Sequence, residues 1–395
     1  AKAQLSNGGW GQGEESAEIG RGLDLKDKPS VADTCMATMA MLRSGSTPMT
    51  GEYSKNIRHG VEFVCGEVEE SDKSSLYVTN NRSTRIQIKL GPYIDTFMAS
   101  MVLAEVSGEM PDAKSEARVS RAYQKVMDKI DKNQKSDGTW DNKGWAPVLS
   151  HAMAARAINR AAQKGLAVNE KTRLRTENYA RGQFADASKP SSSAGVPGSG
   201  GAYASASISG KSVSGFAGRS ASGAAKGDAG VSLYSTSADL ATLQNSDDTN
   251  KALEQHAQIQ LKAAKTPKDK EAAQATLNRV AGNRKDLAAA QKDVVTKVSS
   301  QSFMSGFGSN GGEEYLSYMN IGESLVAKGG EDWKKWDTSI TAKVNGVQNQ
   351  DGTWSGYHCI TGRTVCTAAA LMVLMVDRAR VPVALKLKTT ASGRK

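Results

Sequence analysis

Hydrophobic and polar positions alternate along the chain in two kinds of helical segment. In the first kind, small apolar residues continue nearly all round the helix, which is typical of helices buried on every side. The segment beginning at Asp33 (DTCMATM) is of this kind, and it recurs from Asp95 as DTFMASM. The pattern predicts six inner helices, near residues 31–44, 92–107, 146–163, 228–244, 312–328 and 363–379.

The second kind of segment has a single apolar stripe and a charged opposite face. Ala122, Val126 and Ile130 are spaced at helical intervals between charged residues, as expected for a helix half exposed to water. Buried helices that alternate with amphipathic ones predict an all-α fold, an α/α toroid of about six helical hairpins. The outer helices are predicted near residues 54–70, 113–132, 168–182, 249–263 and 331–347.

Two segments interrupt this alternation. Ile86, Ile88 and Leu90 alternate with polar residues after a possible turn at Asn80-Asn81, so residues 75–90 are predicted to form a β-hairpin. Residues 250–300 are rich in Ala, Lys and Gln and predict two or three solvated helices. Thr266-Pro267 is a favourable helix start, with Thr as N-cap and Pro in the first position.

These patterns divide the chain into four parts. The Ser/Gly/Ala-rich part has the composition of a flexible loop. In the basic tail, Val381 to Lys388 alternate as in a strand, and we hypothesise that this strand adds to the hairpin of a neighbouring copy. The parts are residues 1–182 (toroid with the hairpin insertion), 183–227 (loop), 228–380 (toroid with the helical insertion) and 381–395 (tail).

A turn motif recurs three times, with Gln followed by Asp or Asn three residues later, Gly four later and Trp six later. Glycine supplies the positive φ that such a turn needs. We expect the Gln to cap the preceding helix and the Trp to lie over the turn. The copies are Gln4-Gly8-Trp10, Gln134-Gly138-Trp140 and Gln348-Gly352-Trp354.

This Q-x-x-[DN]-G-x-W repeat, followed by a small apolar helix, resembles the QW motif of squalene-hopene and oxidosqualene cyclases. It also resembles the β subunits of protein prenyltransferases, and residues 348–371 are similar to the last repeat of that superfamily. Residues 90–96 and 310–315 resemble bacterial proteins that carry such repeats. The resemblance covers roughly residues 1–180 and 228–380 and implies a toroid fold, while it says little about function.

The sequence departs from the motifs that make those relatives enzymes. The acid motif D-x-D-D of the cyclases is absent, and the 6% aromatic content leaves little to line a carbocation pocket. The prenyltransferase zinc site uses Asp, Cys and His; His358-Cys359 comes near that pattern, but no Asp-x-Cys precedes it. We therefore expect no cofactor and no metal, and favour a protein that is not an enzyme.

Two groups of polar residues are candidates for a ligand site at a mouth of the ring. Glu313, Glu314 and Tyr315 begin an inner helix, where carboxylates also stabilise the helix dipole. We favour the dipole role, with a ligand-binding carboxylate as the alternative.

The second group is His358, Cys359 and Arg363. A Cys-His pair is a possible nucleophile, and Arg363 more simply satisfies turn carbonyls. Asp33 and Asp95 occupy equivalent helix starts, where each is first an N-cap candidate and second a pocket carboxylate.

Charge and cysteine content add two expectations. The net charge is +10, but Lys and Arg are mixed with acids rather than gathered in a stripe, so nucleic acid is not expected. We favour a solvated basic surface, with attraction to acidic glycans or to a membrane surface as the alternative. No apolar run is long enough to span a membrane. Cys35 and Cys366 lie on inner helices expected to meet at ring closure. We expect a disulfide between them if the protein is exported, with buried free thiols as the alternative.

The favoured function is a non-catalytic exported scaffold or binding protein in the periplasm, on the cell surface or outside the cell. An Ala at residue 1 suggests removal of a signal peptide. The expected partner is a second copy of the chain or another surface protein. The alternative is an enzyme that acts on an isoprenoid or a polysaccharide in the central cavity, which would then be open and lined by convergent carboxylates.

Overall fold

The computed structural model describes residues 1–15, 26–141, 143–187 and 227–379, and the regular structure in these ranges is helical. The prediction of an all-α protein is confirmed. Within the same ranges the extended pairing is limited to one isolated bridge between Trp10 and Ser30. Most of the Ser/Gly/Ala-rich part and the whole tail at 381–395 lie outside the described residues.

The described part of the chain contains thirteen α-helices. None of them has the length and apolar character needed to cross a bilayer. In chain order they are α1 (Val31–Arg43), α2 (Ser54–Glu70), α3 (Arg85–Leu90), α4 (Ile94–Val106), α5 (Ala113–Asn133), α6 (Pro147–Gln163), α7 (Glu170–Ala187), α8 (Ser232–Ala263), α9 (Pro267–Lys297), α10 (Gln301–Met304), α11 (Gly312–Lys328), α12 (Gly330–Asn345) and α13 (Arg363–Leu374).

The helices predicted as inner ones are the most buried and contact one another in sequence order. Every residue of α1, α4 and α6 is buried. Contacts join α1 to α4, α4 to α6, α6 to α8, α8 to α11 and α11 to α13, and α13 returns to α1. The six helices therefore form a closed cycle of contacts.

A second set of helices packs on the outside of this cycle, and each has one buried face. Helix α2 packs on α1, α5 on α4, α7 on α6 and α8, α9 on α8, and α12 on α11. The predicted stripe of α5 is buried at Ala122, Val126 and Ile130. Apolar periodicity thus separated the two sets, because a helix with neighbours on every side needs no polar face.

Polar side chains fix where several of these helices begin. Ser30 accepts a hydrogen bond from the backbone N–H of Asp33, and Asp112 accepts one from Ser115. Thr266 caps α9 in the same way, and Pro267 occupies its first turn as predicted. Each cap satisfies a backbone donor that the helix itself leaves unpaired.

The prediction of a β-hairpin at residues 75–90 is wrong. Residues 85–90 form α3, which begins at a capping box between Thr84 and Gln87. Ile86 and Leu90 are four residues apart and both buried on one helical face, whereas Ile88 is exposed. An apolar residue at every second position is typical of a strand. Ile86 and Leu90 are also at the spacing that puts two residues on the same face of a helix.

The predicted division of residues 228–300 is also wrong. The inner helix expected at 228–244 and the outer helix expected at 249–263 are one continuous helix, α8, because no glycine or proline interrupts the sequence between them. The outer partner of α8 is α9, so the segment predicted to project into solvent packs on α7 and α8.

The three repeated turns share one geometry. Gly8, Gly138 and Gly352 have φ values of 88°, 90° and 81°. In each turn the Gln side chain donates to the carbonyl of that glycine, at 2.8, 3.2 and 2.9 Å in chain order. The Gln therefore closes the turn and does not cap the preceding helix as expected.

The indole of the motif performs the capping that was expected of the Gln. Trp140 Nε1 donates to Ile130 O at the end of α5, and Trp354 Nε1 donates to Val344 O at the end of α12, both at 2.8 Å. Since the last carbonyls of a helix lack partners within it, each Trp fastens the turn to the helix before it.

The four cysteines are free thiols in the structure, and the expected bridge between Cys35 and Cys366 is not formed. Both residues are buried, and burial raises the pKa of both thiols. Cys35 lies near Asp95 and Cys65, whereas Cys366 donates to Ile360 O at 3.4 Å. The two side chains therefore have different neighbours, although their helices meet at the closure of the cycle.

Candidate functional site

Glu314, in the first turn of α11, is the centre of a buried polar cluster. Its Oε1 accepts hydrogen bonds from the Tyr234 hydroxyl at 2.5 Å and from Phe307 N at 3.1 Å. Its Oε2 accepts one from Gly311 N at 2.8 Å and lies 3.1 Å from His358 Nε2. One carboxylate therefore ties together α8, the loop before α11 and the segment before α13.

His358 is the cation of this cluster. Burial opposes its protonation, but the Cys359 thiol and the Glu314 carboxylate outweigh burial and raise the His358 pKa to about 10. The same Nε2 lies 2.9 Å from Ser309 O. A protonated ring donates to both acceptors, so His358 and Glu314 form an ion pair within the cluster.

Glu313 lies beside this pair and is fully buried. Its Oε2 accepts a hydrogen bond from Ile360 N at 3.3 Å, while its Oε1 has no hydrogen-bond partner among the described residues. Burial first, and the neighbouring Glu314 second, raise the Glu313 pKa to about 7. Glu313 is therefore a carboxyl group whose charge changes near neutral pH.

Glu313, Glu314 and His358 bring three potential ligand atoms within 4.8 Å of one another, which is close enough to suggest a metal. The hydrogen bonds argue against that use. Both Glu314 oxygens already accept from two donors each, and both ring nitrogens of the protonated His358 carry protons, so the atom left is Glu313 Oε1. One ligand falls short of the four that structural zinc requires.

Of the other residues of the two predicted groups, Cys359 contacts the cluster through the His358 ring, whose pKa it raises, whereas Arg363 and Tyr315 do not join the cluster. Arg363 pairs with Asp351 and, at 3.6 Å, with Glu14. Tyr315 is buried beside Tyr318, and its hydroxyl has no partner among the described residues. Cys359 has a φ of 51°, so the chain turns sharply directly after His358.

Asp33 and Asp95 are not the N-caps that were expected, since Ser30 caps α1 and Tyr93 precedes α4. Asp95 lies instead in the first turn of α4, in a different cluster. Its Oδ1 accepts from Ala32 N at 2.9 Å, and its Oδ2 accepts from the Gln87 side chain at 2.7 Å. It therefore satisfies a free N–H of the neighbouring helix α1 and joins α1, α3 and α4. Glu313 makes the equivalent contact to Ile360 N, just before α13.

Towards the opposite ends of the inner helices, ion pairs join helices that are not neighbours in the cycle of contacts. Glu323 of α11 bonds Arg43 of α1 and Arg156 of α6, both at 2.6 Å. Arg43 also donates to Met372 O of α13 at 3.0 Å. In the order of the cycle α1, α6 and α11 are not neighbours, so this network spans its centre.

One cavity beside this network, among the described residues, is small. Its volume is about 30 Å³, and it is lined by Met39, Leu42, Arg43, Glu105 and Arg378. Such a volume holds a few water molecules, whereas small-molecule sites in proteins occupy roughly 300–1,000 Å³. Five methionines of the inner helices are also buried, namely Met36, Met39, Met98, Met101 and Met372.

Comparison of the chain with protein-family models, curated proteins and solved structures finds no match.

The sequence analysis found the acids of the Glu313–Glu314 cluster and missed the network around Glu323. A signal for the network was present, because Arg43, Arg156 and Glu323 are charged residues within helices that are otherwise small and apolar. Ionised side chains in such helices are rarely buried unless they are paired. What the sequence does not show is that these three helices face one another.

Proposed function

We propose that this protein is a non-catalytic scaffold or binding protein built on an α/α toroid whose centre is filled. The closed cycle of contacts among six buried helices supports the toroid, as does the outer helix that packs on each of α1, α4, α6, α8 and α11. The observation that most supports the proposed function is the Arg43–Glu323–Arg156 network across the centre.

This network opposes the alternative of an enzyme that acts on an isoprenoid inside the ring. A long apolar substrate would have to displace Glu323 from two arginines that are themselves almost fully buried. Breaking a buried ion pair by separating one partner is costly, at about 3–5 kcal/mol. The cluster at the other end of the inner helices contains the His358–Glu314 ion pair and the Glu313 carboxyl group, which accepts a hydrogen bond from a backbone N–H. These contacts hold segments of the chain together, as is typical of a site that stabilises the structure.

We further propose that the protein is exported and acts as a homo-oligomer or with another surface protein. The long Ser/Gly/Ala-rich part and the basic tail support this proposal, since such segments commonly link or contact other macromolecules. The tail has no hairpin at residues 75–90 to extend, because α3 occupies part of that segment. Any self-association therefore uses another surface.

Two measurements on the purified full chain test the proposal. Light scattering at two protein concentrations and two salt levels gives the native mass, and an oligomer is expected. Calorimetric titration with farnesyl diphosphate tests the centre, and no binding is expected. A monomer would contradict self-association; saturable binding of the isoprenoid that Glu323→Gln alters would overturn the filled centre and favour an enzyme.

A further inference from the structure

Helix α13 completes the cycle of inner helices, and its first turn lies between two buried carboxyl groups. Burial first, and then Glu313 of α11 and Asp33 of α1, raise the pKa of the Cys366 thiol in that turn, so both carboxyl groups lie near it. Helix α13 packs on α1 and on α11. We call the packing of the first turn of α13 against Asp33 and Glu313 the closing seam.

Asp33, on the α1 side of the seam, is buried without a cation. Its Oδ2 accepts a hydrogen bond from the Ser30 hydroxyl at 2.5 Å, while its Oδ1 has no hydrogen-bond partner among the described residues. The charged group that faces it from α4 is another acid, Asp95, and the group that faces it from α13 is the Cys366 thiol. An ionised Asp33 therefore places an uncompensated charge in the seam, whereas a neutral carboxyl group does not.

Glu313, on the α11 side of the seam, is in a similar position. Its Oε2 accepts a backbone N–H, that of Ile360 at 3.3 Å, and its Oε1 has no hydrogen-bond partner among the described residues. The groups that face it are Glu314 of its own helix, His358 before α13 and Cys366 of α13. His358 is already ion-paired with Glu314. One cation is therefore shared by two buried carboxyl groups, and Glu313 is the one that lacks a close cation of its own.

The seam is also where the cycle can separate with the least rearrangement. Every other pair of neighbouring inner helices is joined by an intervening segment of chain, whereas α1 and α13 lie near opposite ends of the sequence. Hydrogen bonds hold α13 to the N-terminal segment: Thr364 Oγ1 donates to Gly11 O at 2.7 Å, and Thr364 N donates to Gln12 O at 3.0 Å. These bonds can exchange for bonds to water without unfolding a helix.

We propose that protonation of Asp33 and Glu313 controls the closing seam. When both carboxyl groups are neutral, the first turn of α13 packs against α1 and α11. When each group has released its proton to solvent, the seam separates locally, because water then solvates charges that the packed seam leaves uncompensated. The inference goes beyond the scaffold proposed above, since it gives the cycle of helices a closed state at acidic pH and an open state at alkaline pH.

The direction of the pH effect follows from the pKa values of the closed and the water-exposed groups. Burial is the first cause in both groups, and it raises the pKa of Asp33 from 3.8 and that of Glu313 from 4.5 to about 7. The closed seam therefore binds these protons more tightly. It is most stable below about pH 4 and weakens progressively up to about pH 7. Between about pH 5.5 and about pH 8.5, full exposure of one such group favours the open state by about 30-fold.

Hydrogen exchange of the full chain, followed by mass spectrometry near pH 5.5 and near pH 8.5, tests the proposal. Labelling times are corrected for the pH dependence of intrinsic exchange. The protection factors of α13 should fall by about 30-fold or more towards pH 8.5, and those of α5 much less. In the double variant Asp33→Asn and Glu313→Gln, the fall in α13 should shrink to about threefold or less. In a matched control, Asp27→Asn with Glu331→Gln, two exposed acids are changed and the fall should persist.

A thiol measurement on the unchanged protein does not depend on the folding of any variant. Cys366 lies in the seam, whereas Cys65 is equally buried on α2 and serves as an internal control. The effect of pH on the reagent chemistry is common to both thiols. The ratio of N-ethylmaleimide labelling at Cys366 to that at Cys65 should therefore rise by about tenfold or more from pH 5.5 to pH 8.5.

Three results would overturn the proposal: a loss of protection in α13 that is absent or is matched in α5, a labelling ratio that does not change with pH, or a folded double variant that keeps the full pH dependence. None of them bears on the native mass or on the isoprenoid titration, which test the proposed function separately.

Discussion

At the scale of single residues, the pKa of a buried carboxyl group depends on whether a cation lies beside it. Glu323 is held between two arginines, and although burial opposes ionisation, Arg156 and Arg43 lower its pKa. Asp33 has no such partner. Burial first raises its pKa, a hydrogen bond from Ser30 lowers it, Asp95 raises it again, and the pKa settles at about 7.

This difference predicts how stability depends on pH. The folded-state pKa of Asp33 is above its unfolded value of about 3.8, so the folded protein binds this proton more tightly. The contribution is fully present below about pH 3.8 and is lost progressively as the pH rises from about 3.8 to about 7. Asp33→Asn should therefore stabilise the protein by about 2–3 kcal/mol more near pH 8 than near pH 5.

Urea unfolding at the two pH values measures this effect, with Asp27→Asn as the control. Asp27 is exposed, so its substitution should leave the free energy of unfolding nearly unchanged at both pH values. Equal stabilisation of Asp33→Asn at both pH values would show that ionisation is not the cause.

The sequence located residues better than it located their partners. Glu313, Glu314 and His358 could be selected because two adjacent acids begin an apolar helix and because the chain has four histidines, of which one precedes a cysteine. Tyr234 and Phe307, which complete the Glu314 site, carried no local signal. Tyr234 is 80 residues from Glu314 in sequence and reaches it only because α8 packs on α11.

At the scale of elements, helices with clear periodicity were predicted within a few residues, and the errors have physical reasons. In α3, three apolar residues fit both a strand and a helix, and the capping box at Thr84 decided between them. In α8, a change from apolar to polar composition was taken as a boundary. Apolar residues give way to polar ones where a helix extends beyond the core. The helix itself continues until residues such as Gly or Pro stop it.

The repeated turns allow a test of why glycine is needed. At Gly138 a side chain would meet two obstacles, a φ of 90° and Arg175 O at 2.4 Å from the Cβ position. Gly165 has a φ of 74° but open space around it. Gly138→Ala should cost about 2–4 kcal/mol and Gly165→Ala about 1 kcal/mol, since only the first also forces the turn away from α7.

Thermal unfolding of the two variants gives the comparison. Equal losses would mean that backbone conformation alone explains the glycine and that the contact with α7 is unimportant.

A buried ion network fixes α9 to the rest of the molecule. The Glu177 carboxylate of α7 is fully buried, accepts from Arg279 of α9 at 2.8 Å and from the Asn250 side chain of α8 at 3.0 Å, and lies 3.6 Å from Arg173. Glu177→Gln should cost about 3 kcal/mol, because it leaves Arg279 without its anion and removes one of the two acids that pair with Arg173. Hydrogen exchange should rise most in α9.

Glu254→Gln is the matched control for this prediction. Its partner Arg284 also lies on α9, but the pair is largely exposed and such pairs contribute at most about 1 kcal/mol. If both substitutions loosen α9 equally, the buried network does not hold it.

At the scale of the whole molecule, the Glu323 network determines whether the centre is filled. Glu323→Gln should destabilise the protein by about 3–5 kcal/mol, since Arg43 and Arg156 would remain buried without a counter-charge. Glu331→Gln, in an exposed pair with Lys334, should have almost no effect. Denaturant unfolding compares them, and similar midpoints would indicate that the centre is open to water.

The order of the inner helices followed from the sequence repeats, but the ion pairs of Glu323 with Arg43 and Arg156 did not. Repeats show which helices are equivalent. They do not show how far each side chain reaches or which helices face one another. The three charged residues come from three separate inner helices, so their pairing depends on how all three helices pack.

The contact between α13 and α1 has a consequence for how the chain folds during synthesis. Arg43 and Met372 are 329 residues apart, and Thr364 reaches Gly11 across 353 residues. At about 5–20 residues per second, roughly 15–70 s pass between translation of these partners. Throughout that interval the apolar side of α1 that packs against α13 is uncovered. The nascent chain therefore exposes an aggregation-prone surface that a chaperone would have to cover.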